Sequence, residues 1–435
     1  MERNVEDRPE DRFCPVELMH PASAEERAMT KVLTTAAALL ATVTAARAAD
    51  IESVSRIAFG PADTLFVADW TRSEVHALRL PSTAPDAGKP FNILDLDASF
   101  RRELGTDEVT LEDIAARPGG DEVYVAVSAG PHRTPAIVVA KADGSVRKLD
   151  LKATPETSAA LEKAPDPSLK FWTEVPGRSF TVTDMKWRDG KLYVAGLSNQ
   201  AFASSLRIIP YPFGRGAEMA SVEMYHTTHD QVETRAPIRA MAFADLGGKP
   251  YLVAAYLCTP LVTIPLDALK DGAHVRAKTV AELGDSGASV QVLPYSAMDF
   301  ATGKPASYLL VATEFRQGSV IPLSSLEQAN GGPGYSKPVP FGEIAGVQRT
   351  GATMSPVMRI DNQDDHFFVA LRRDLATGHA QLVSYDKLAG FRLSDYKVSE
   401  FMFPDYAYAS DPEHAGIRRM QNMLKAEEGF TEAVR

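Results

Sequence analysis

The sequence predicts an all-β chain folded as a single β-propeller, and three observations carry that expectation. One short phrase recurs six times: an apolar pair, a tight polar turn, then a run of β-formers. Gly and Asp punctuate the turns, as in Gly119-Gly120-Asp121, Asp143-Gly144 and Asp189-Gly190, which is hairpin chemistry. The phrase returns at a period of roughly 60 residues, so each unit is a small sheet that must stack on its neighbours to bury its faces. Six blades is the preferred count, with seven as the alternative.

The first copy runs from Ile57-Ala58-Phe59-Gly60 to Thr64-Leu65-Phe66-Val67-Ala68-Asp69. The next are Ile114-Ala115-Ala116 with Glu122–Ala126, and Met185-Lys186-Trp187 with Lys191–Ala195. Fainter copies follow at Met241-Ala242-Phe243 with Tyr251–Ala255, Met298-Asp299-Phe300 with Tyr308–Ala312, and Ile360-Asp361-Asn362 with His366–Ala370. Third strands are expected at Glu74–Leu80, Ala136–Lys141, Ser205–Ile209, Leu261–Pro265, Ser319–Pro322 and Gln381–Tyr385. Fourth strands read weakly, as outer edges do. Two insertions break the rhythm: Thr154–Arg178, Pro-rich with a helix expected at Ser158–Lys163, and the Gly/Pro-rich Gln328–Ser355. The segment Tyr396–Phe403 is expected to pair with the start of the mature chain and close the ring. Helical spacing of Ile417, Met420, Met423 and Leu424 predicts a short C-terminal helix.

The expected organisation is therefore residues 1–48 as an upstream extension plus a secretory signal, 49–410 as the propeller, and 411–435 as a helical tail. From Met29 the chain reads Met-Thr-Lys, a short apolar stretch Val32–Val43, then Ala46-Arg47-Ala48. That is the pattern of a signal peptide, cut after Ala48 or one residue later. The apolar stretch is too short to span a bilayer. Translation is expected to begin at Met29, with Met1 as the alternative. A periplasmic or secreted protein follows. Cys14 would be lost on cleavage, leaving Cys258, read as a small buried apolar residue after the strand Tyr251–Tyr256. A formal net charge of −11 argues against a nucleic-acid partner, since phosphates need a basic face.

Candidate site residues come first from the inner strands, whose alternate positions face the axis. Arg56, Asp113, Asp184 and Arg359 stand just before the inner apolar pairs, with Glu112 and Arg239 one step earlier. Two readings stand: a polar ligand or metal site on the axis, or a network of arginine–carboxylate pairs that fills the channel. A one-residue change of register would turn each of these side chains round. The second candidate is Tyr225-His226-Thr227-Thr228-His229-Asp230-Gln231-Val232-Glu233. Here His226, His229, Asp230 and Glu233 could hold a metal ion through imidazole nitrogen and carboxylate oxygen. The third is the loop Ser198–Phe213, where Asn199 could hold a ligand and Arg207 an anion, beside a purely structural reading of the loop. The run Asp361-Asn362-Gln363-Asp364-Asp365 reads as an acidic hairpin turn, without the spacing of a calcium loop. There is no Gly-x-Ser-x-Gly elbow, phosphate loop, dinucleotide fingerprint or Cys-x-x-Cys-His. No haem and no nucleotide cofactor are therefore expected, and one divalent metal ion is the candidate cofactor.

The blade phrase Ile57-Ala58-Phe59-Gly60-Pro61 with Leu65–Asp69 resembles that of NHL-type and gluconolactonase-like propellers. The latter resemblance implies a divalent cation on the axis, with Glu112 or Asp113, Asn199 and Asp184 as counterparts of its ligands. The strings Ser198–Arg207, Glu233–Arg239 and Ala254–Val262 look like those of uncharacterised exported bacterial propellers. The expected role is a ligand-, metal- or protein-binding module, its partner a small molecule or a periplasmic protein, without catalysis of its own. The alternatives are a metal-dependent hydrolase of the lactonase kind, and an accessory protein of a periplasmic redox or metal-uptake system.

Overall fold

Five of the six recurrent phrases fold as an antiparallel pair whose register the polar turn sets. In the fifth, a longer hairpin pairs Tyr308–Ala312 with Gln291–Tyr295, and Met298 and Asp299 stand at its far end against Pro305 and Lys304. In the third unit Asp189 and Gly190 both take positive φ, 50° and 78°, the geometry of a two-residue hairpin, and Arg188 faces Lys191 across it. The computed structural model describes residues 47–48, 50–83, 88–214, 216–284, 288–299, 301–354, 357–396, 399–400, 403, 421–425 and 427. All belong to the unit Ala45–Arg435. The proposed signal up to Ala46, Cys14 and most of the tail lie outside the described residues; the last two residues of the signal, Arg47–Ala48, are described.

Six sheets form a six-bladed propeller. Blade 1 contains Ile57–Phe59, Thr64–Asp69 and Glu74–Arg79, and blade 2 Val109–Ala116, Glu122–Ala129, Thr134–Lys141 and Val146–Lys148. Blade 3 runs Asp184–Arg188, Lys191–Leu197, Ser204–Pro210 and Glu218–His226. Blade 4 runs Ala240–Leu246, Lys249–Ala255, Pro260–Pro265 and Lys278–Leu283. Blade 5 is Ser289–Asp299, Lys304–Thr313, Gly318–Pro322 and Thr350–Ala352. Blade 6 is Val357–Asn362, Phe367–Arg373 and Ala380–Asp386.

The order round the ring is not the order along the chain. The inner strand of blade 2 lies between those of blades 1 and 6, and blade 1 meets blade 3 on its other side. Six apolar clusters fill the six seams in that arrangement. Val67 and Tyr124 join blades 1 and 2, Phe66 and Val194 join 1 and 3, and Val138 and Val369 join 2 and 6. The remaining clusters join 3 to 4, 4 to 5 and 5 to 6. Fully burying one such Val, Leu or Phe side chain stabilises by roughly 1.5–3 kcal/mol, so the stacked seams hold the ring together.

Two outer strands come from distant parts of the chain. Asn92–Ile93 leaves blade 1 and completes blade 6, pairing with Val383 and Leu382. Pro155–Ala160 leaves blade 2 and completes blade 1 along Glu74–Leu78. Blade 2 is thus inserted between the third and fourth strands of blade 1. These two strands close the ring, which corrects the expected closure by the tail. In the described part of that tail, Leu393–Tyr396 is a single 3-10 turn. Residues 397–398 and 401–402 lie outside the described residues. Ser158–Lys163 is not helical either: the open edge of blade 1 captures Glu156–Ala160 in its ladder, and tertiary pairing outweighs local propensity. Arg47–Ala48 adds a short edge strand beside Pro155 and Glu156.

Two helices were not legible. Helix α1, Leu96–Leu104, is capped by Asp95, which accepts from Ala98 N at 2.9 Å, and it packs Phe100 into the seam of blades 2 and 6. Helix α2, Leu323–Gly331, buries Leu326 against blades 4 and 5. Of the expected C-terminal helix, residues 421–425 and 427 are described and helical. Glu427 is buried and accepts from Leu393 N and Ser394 N at 2.9 and 2.7 Å, which ties this part of the tail to the 3-10 turn that follows blade 6.

Candidate functional site

The axis is lined by inner-strand residues, and their polar groups are tied from blade to blade. Asp113 of blade 2 accepts from Ile57 N of blade 1 at 3.0 Å. Asp184 of blade 3 accepts from Met241 N of blade 4 at 2.7 Å. Asp361 of blade 6 accepts from Ala116 N of blade 2 at 3.0 Å. The arginines make the complementary ties. Arg56 donates from Nε to Thr183 O at 2.7 Å, and Arg359 from Nε to Glu112 O at 2.8 Å. Each also turns a terminal nitrogen onto the carbonyl of the residue before it. Arg239 stands in the fields of Arg56, Asp113 and Asp184; burial first, then Arg56, pushes it down to about 10. Burial and Arg56 push Arg359 down to about 9, with Asp113 3.5 Å from its Nε opposing them.

The structure therefore brings together Arg56, Asp113, Asp184, Arg239 and Arg359, but Glu112 joins them by its backbone alone. A β-bulge interrupts the ladder between Leu111 and Asp113. It places Glu112 O where Arg56 and Arg359 both reach it, at 3.2 and 2.8 Å. The Glu112 carboxylate takes Ser128 and Arg133 instead, at 2.7 and 2.8 Å. Asn199 and Arg207 are away from the axis. Asn199 is exposed and accepts from Gln200. Arg207 sits in the third strand of blade 3, donating to the carbonyls of Glu162, Lys163 and Leu197, and burial pushes it down to about 10. Arg207 ties the insertion to blade 3 through neutral carbonyls. The lactonase-like axial set of Glu112 or Asp113, Asn199 and Asp184 is not assembled. Three arginines and backbone amides occupy that level, and these residues do not fit a divalent cation.

One step along the same strands, the channel opens into a bowl of about 660 Å³. Its inner level carries Lys186, Gln291 and Asp361, and its walls include Phe59, Trp187 and Tyr295. Lys186 Nζ donates to Gln291 Oε1 at 3.1 Å and approaches Asp184 Oδ1 at 3.4 Å, spanning from blade 3 to blade 5. Burial raises both the Asp184 and Asp361 carboxyls, and the Lys186 charge is the largest opposing influence on each. Asn362 donates to Pro294 O at 3.2 Å, while its Oδ1 is enclosed without a hydrogen-bond partner. The expected acidic turn is thus divided. Asp364 accepts from His366 N and Phe367 N in the turn, whereas Asp361 and Asn362 belong to the inner strand and face the bowl. Lys186, Gln291, Asp361 and Asn362 were missed as site residues. Three of them fall within the recurrent phrases Met185-Lys186-Trp187 and Ile360-Asp361-Asn362, where the signal lay.

The histidine loop lies at the seam of blades 3 and 4. His226 ends the fourth strand of blade 3, and Gln231–Glu233 folds back on it with His226 facing Gln231. Glu233 Oε1 meets Nδ1 of His226 at 2.9 Å and Nδ1 of His229 at 2.6 Å. Burial raises the Glu233 carboxyl, but these two hydrogen bonds outweigh it and hold it at about 2. Asp230 points elsewhere and accepts from Tyr225 Oη at 2.6 Å. Cys258 is exposed, not buried as expected, because the turn after the second strand of blade 4 carries it out beside the two imidazoles.

No family model matches the chain, and no curated protein matches it. Among solved structures the chain is similar to the PQQ-bound form of aldose sugar dehydrogenase from Streptomyces coelicolor. The identity is 11%, the match covers 78% of this chain and 96% of that one, and the TM-score is 0.33. The propeller itself rests on the sheets and seams described above. No helix among the described residues is long and apolar enough to cross a membrane.

Proposed function

We propose that the protein is an exported, ligand-binding propeller whose axial bowl holds one small polar molecule. The observation that carries this reading is the lining of the bowl: the Lys186 ammonium spends two of its three donors, on Gln291 Oε1 and Asp184 Oδ1, and keeps the third beside Asn362 and the aromatic walls. Both neighbouring carboxylates already serve backbone amides. Asp184 accepts from Met185 N and Met241 N, and Asp361 from Asn362 N and Ala116 N. Such carboxylates are fixed as framework, which favours binding over proton transfer at this site.

The test is a thermal-shift screen of the purified protein against sugars, polyols, amino acids and small carboxylates. Ligand at about 100 times its Kd stabilises by about 2.7 kcal/mol. The Lys186→Met and Trp187→Ala variants should lose the response. A wild-type protein that answers no compound in the screen, or variants that answer as the wild type does, would sink the reading. Export is checked separately, by N-terminal sequencing of protein from the periplasmic fraction. A mature start at Ala49 or Asp50 is expected, and full-length chain confined to the cytoplasm would refute it.

A further inference from the structure

We propose that His226, His229 and Cys258 bind a single thiophilic transition-metal ion of the Zn²⁺ class at the seam of blades 3 and 4. The potential ligand atoms of these three residues all lie within 4.8 Å of one another. They come from two blades: the imidazoles from the loop closing blade 3, the thiol from the turn between the second and third strands of blade 4. This set differs from the histidine–carboxylate set that the sequence suggested, because Cys258 enters and Asp230 is engaged with Tyr225.

The surroundings are those of a ligating pair of imidazoles. Glu233 Oε1 holds Nδ1 of both rings, at 2.9 and 2.6 Å. A carboxylate on one ring nitrogen fixes the tautomer, orients the ring and leaves the other nitrogen's lone pair for a metal. On His226 that other nitrogen, Nε2, meets only the Thr228 hydroxyl at 3.0 Å, a donor that a metal ion can replace. The two rings lie 3.9 Å apart between centroids, a close approach for two groups that share one acceptor. His226 is almost fully enclosed, so one ligand is rigid, while His229 and Cys258 are exposed and can adjust. Tetrahedral Zn²⁺ with bonds of about 2.0–2.3 Å needs its ligands about 3.3–3.7 Å apart, so the two exposed arms have at most about 1 Å to close on binding. Two neutral imidazoles and one thiolate carry one negative charge, the thiol proton leaves to solvent, and a fourth position stays open outward. Soft sulfur with borderline nitrogen selects Zn²⁺-like ions over Mg²⁺ or Ca²⁺. The other acidic–histidine group, Asp95, Asp97 and His379, lacks this character: Asp95 caps α1 and Asp97 accepts from Ala380 N.

The experiment uses untagged full-length protein, reduced and freed of metal by chelation. Zn²⁺ titrated calorimetrically should bind at one ion per chain, and Co²⁺ should give a thiolate-to-metal charge-transfer band with intense tetrahedral d–d absorption. Cys258→Ser should abolish the charge-transfer band, and His229→Ala should weaken Zn²⁺ at least tenfold; both positions are exposed, so both variants should fold. Glu233→Gln should weaken it about 10–100-fold, as loss of an orienting carboxylate does. Asp230→Ala should bind as the wild type. No stoichiometric Zn²⁺, a Co²⁺ spectrum without the sulfur band, unchanged affinity in Cys258→Ser, or loss of binding in Asp230→Ala would each overturn the assignment.

Discussion

Phe91 and Ser384 exchange two hydrogen bonds across 293 residues of chain: Phe91 N donates to Ser384 Oγ at 2.7 Å, and Ser384 N donates to Phe91 O at 2.9 Å. This exchange locks the strand that completes blade 6. Arg392, fully buried, reinforces it from Ser384 O to Asn92 Oδ1, at 2.8 and 2.7 Å. Ser384→Ala leaves the buried Phe91 N–H without its acceptor and is expected to destabilise by about 1–3 kcal/mol in urea unfolding. Phe91→Ala, which also empties the space filled by its ring, should cost about 3–5 kcal/mol. Free energies within experimental error of wild type for both variants would show that the ring does not depend on this closure.

A second tie crosses the seam of blades 1 and 2. Arg117 is buried and pairs with Glu122 at 2.8 Å and with Asp63 at 2.7 Å. Burial raises the Glu122 carboxyl, but hydrogen bonds from Arg117, Tyr124 and Arg147 outweigh it, and the net shift is downward from 4.5. A carboxyl lowered on folding contributes stability that is present above its unfolded value and lost as pH falls through the folded one. Arg117→Met leaves the buried Glu122 carboxylate with only Tyr124 and the exposed Arg147, and should cost about 3 kcal/mol at neutral pH, the lower end of the scale for breaking a buried pair from one side. The deficit should shrink once pH falls below 4.5, where the less well paired carboxyl takes up a proton. Unfolding curves at the two conditions check this, and a deficit independent of pH would contradict it.

The hairpins were legible because they are local: Asp189-Gly190 declares its turn, and Leu192-Tyr193-Val194-Ala195 declares its strand. Ring order was not legible. Whether Asn92–Ile93 completes a neighbouring blade depends on an open edge built from residues nearly 300 positions away, and two residues carry no period. The same holds for Glu156–Ala160, whose composition suits a helix until the edge of blade 1 is present. At the axis, the positions of Arg56, Asp113 and Arg359 were readable from their place before the apolar pairs. The direction of Glu112 was not, because one bulged residue reverses it. Cys258 is visible in sequence but its imidazole neighbours come from another blade.

The axial ions test how a mixed-sign channel is held. Arg359 is partnered by Asp113 at 3.5 Å and by two backbone carbonyls. Asp113→Ala removes the carboxylate that offsets the arginines and also strands Ile57 N. It should cost about 3–5 kcal/mol, the scale for breaking a buried pair from one side. Adding Arg359→Met should recover part of that loss, because the second change removes an uncompensated charge. In a double-mutant cycle read by urea unfolding, the coupling is expected at about 0.5–3 kcal/mol. Strict additivity would mean that the two side chains do not sense each other.

Lys186 provides the converse case, since it moderates two carboxyls that burial raises. Asp184 and Asp361 both stand above their ordinary 3.8, burial being the largest cause and the Lys186 charge the main opposing one. A carboxyl raised on folding holds its proton more tightly in the folded state. These two carboxyls therefore contribute stability that is lost as pH rises from 3.8 through their raised values and changes no further above them, opposite in sign to the lowered Glu122. Lys186→Met removes the offsetting ammonium, so both carboxyls should move further up and the loss should extend towards neutral pH. Carbon-detected NMR titration of the Asp361 carboxyl reads the shift directly: above 3.8 in the wild type, and higher again in the variant. An Asp361 carboxyl that titrates at or below 3.8, or that ignores the loss of Lys186, would show that the bowl is solvated too well for its charges to be coupled.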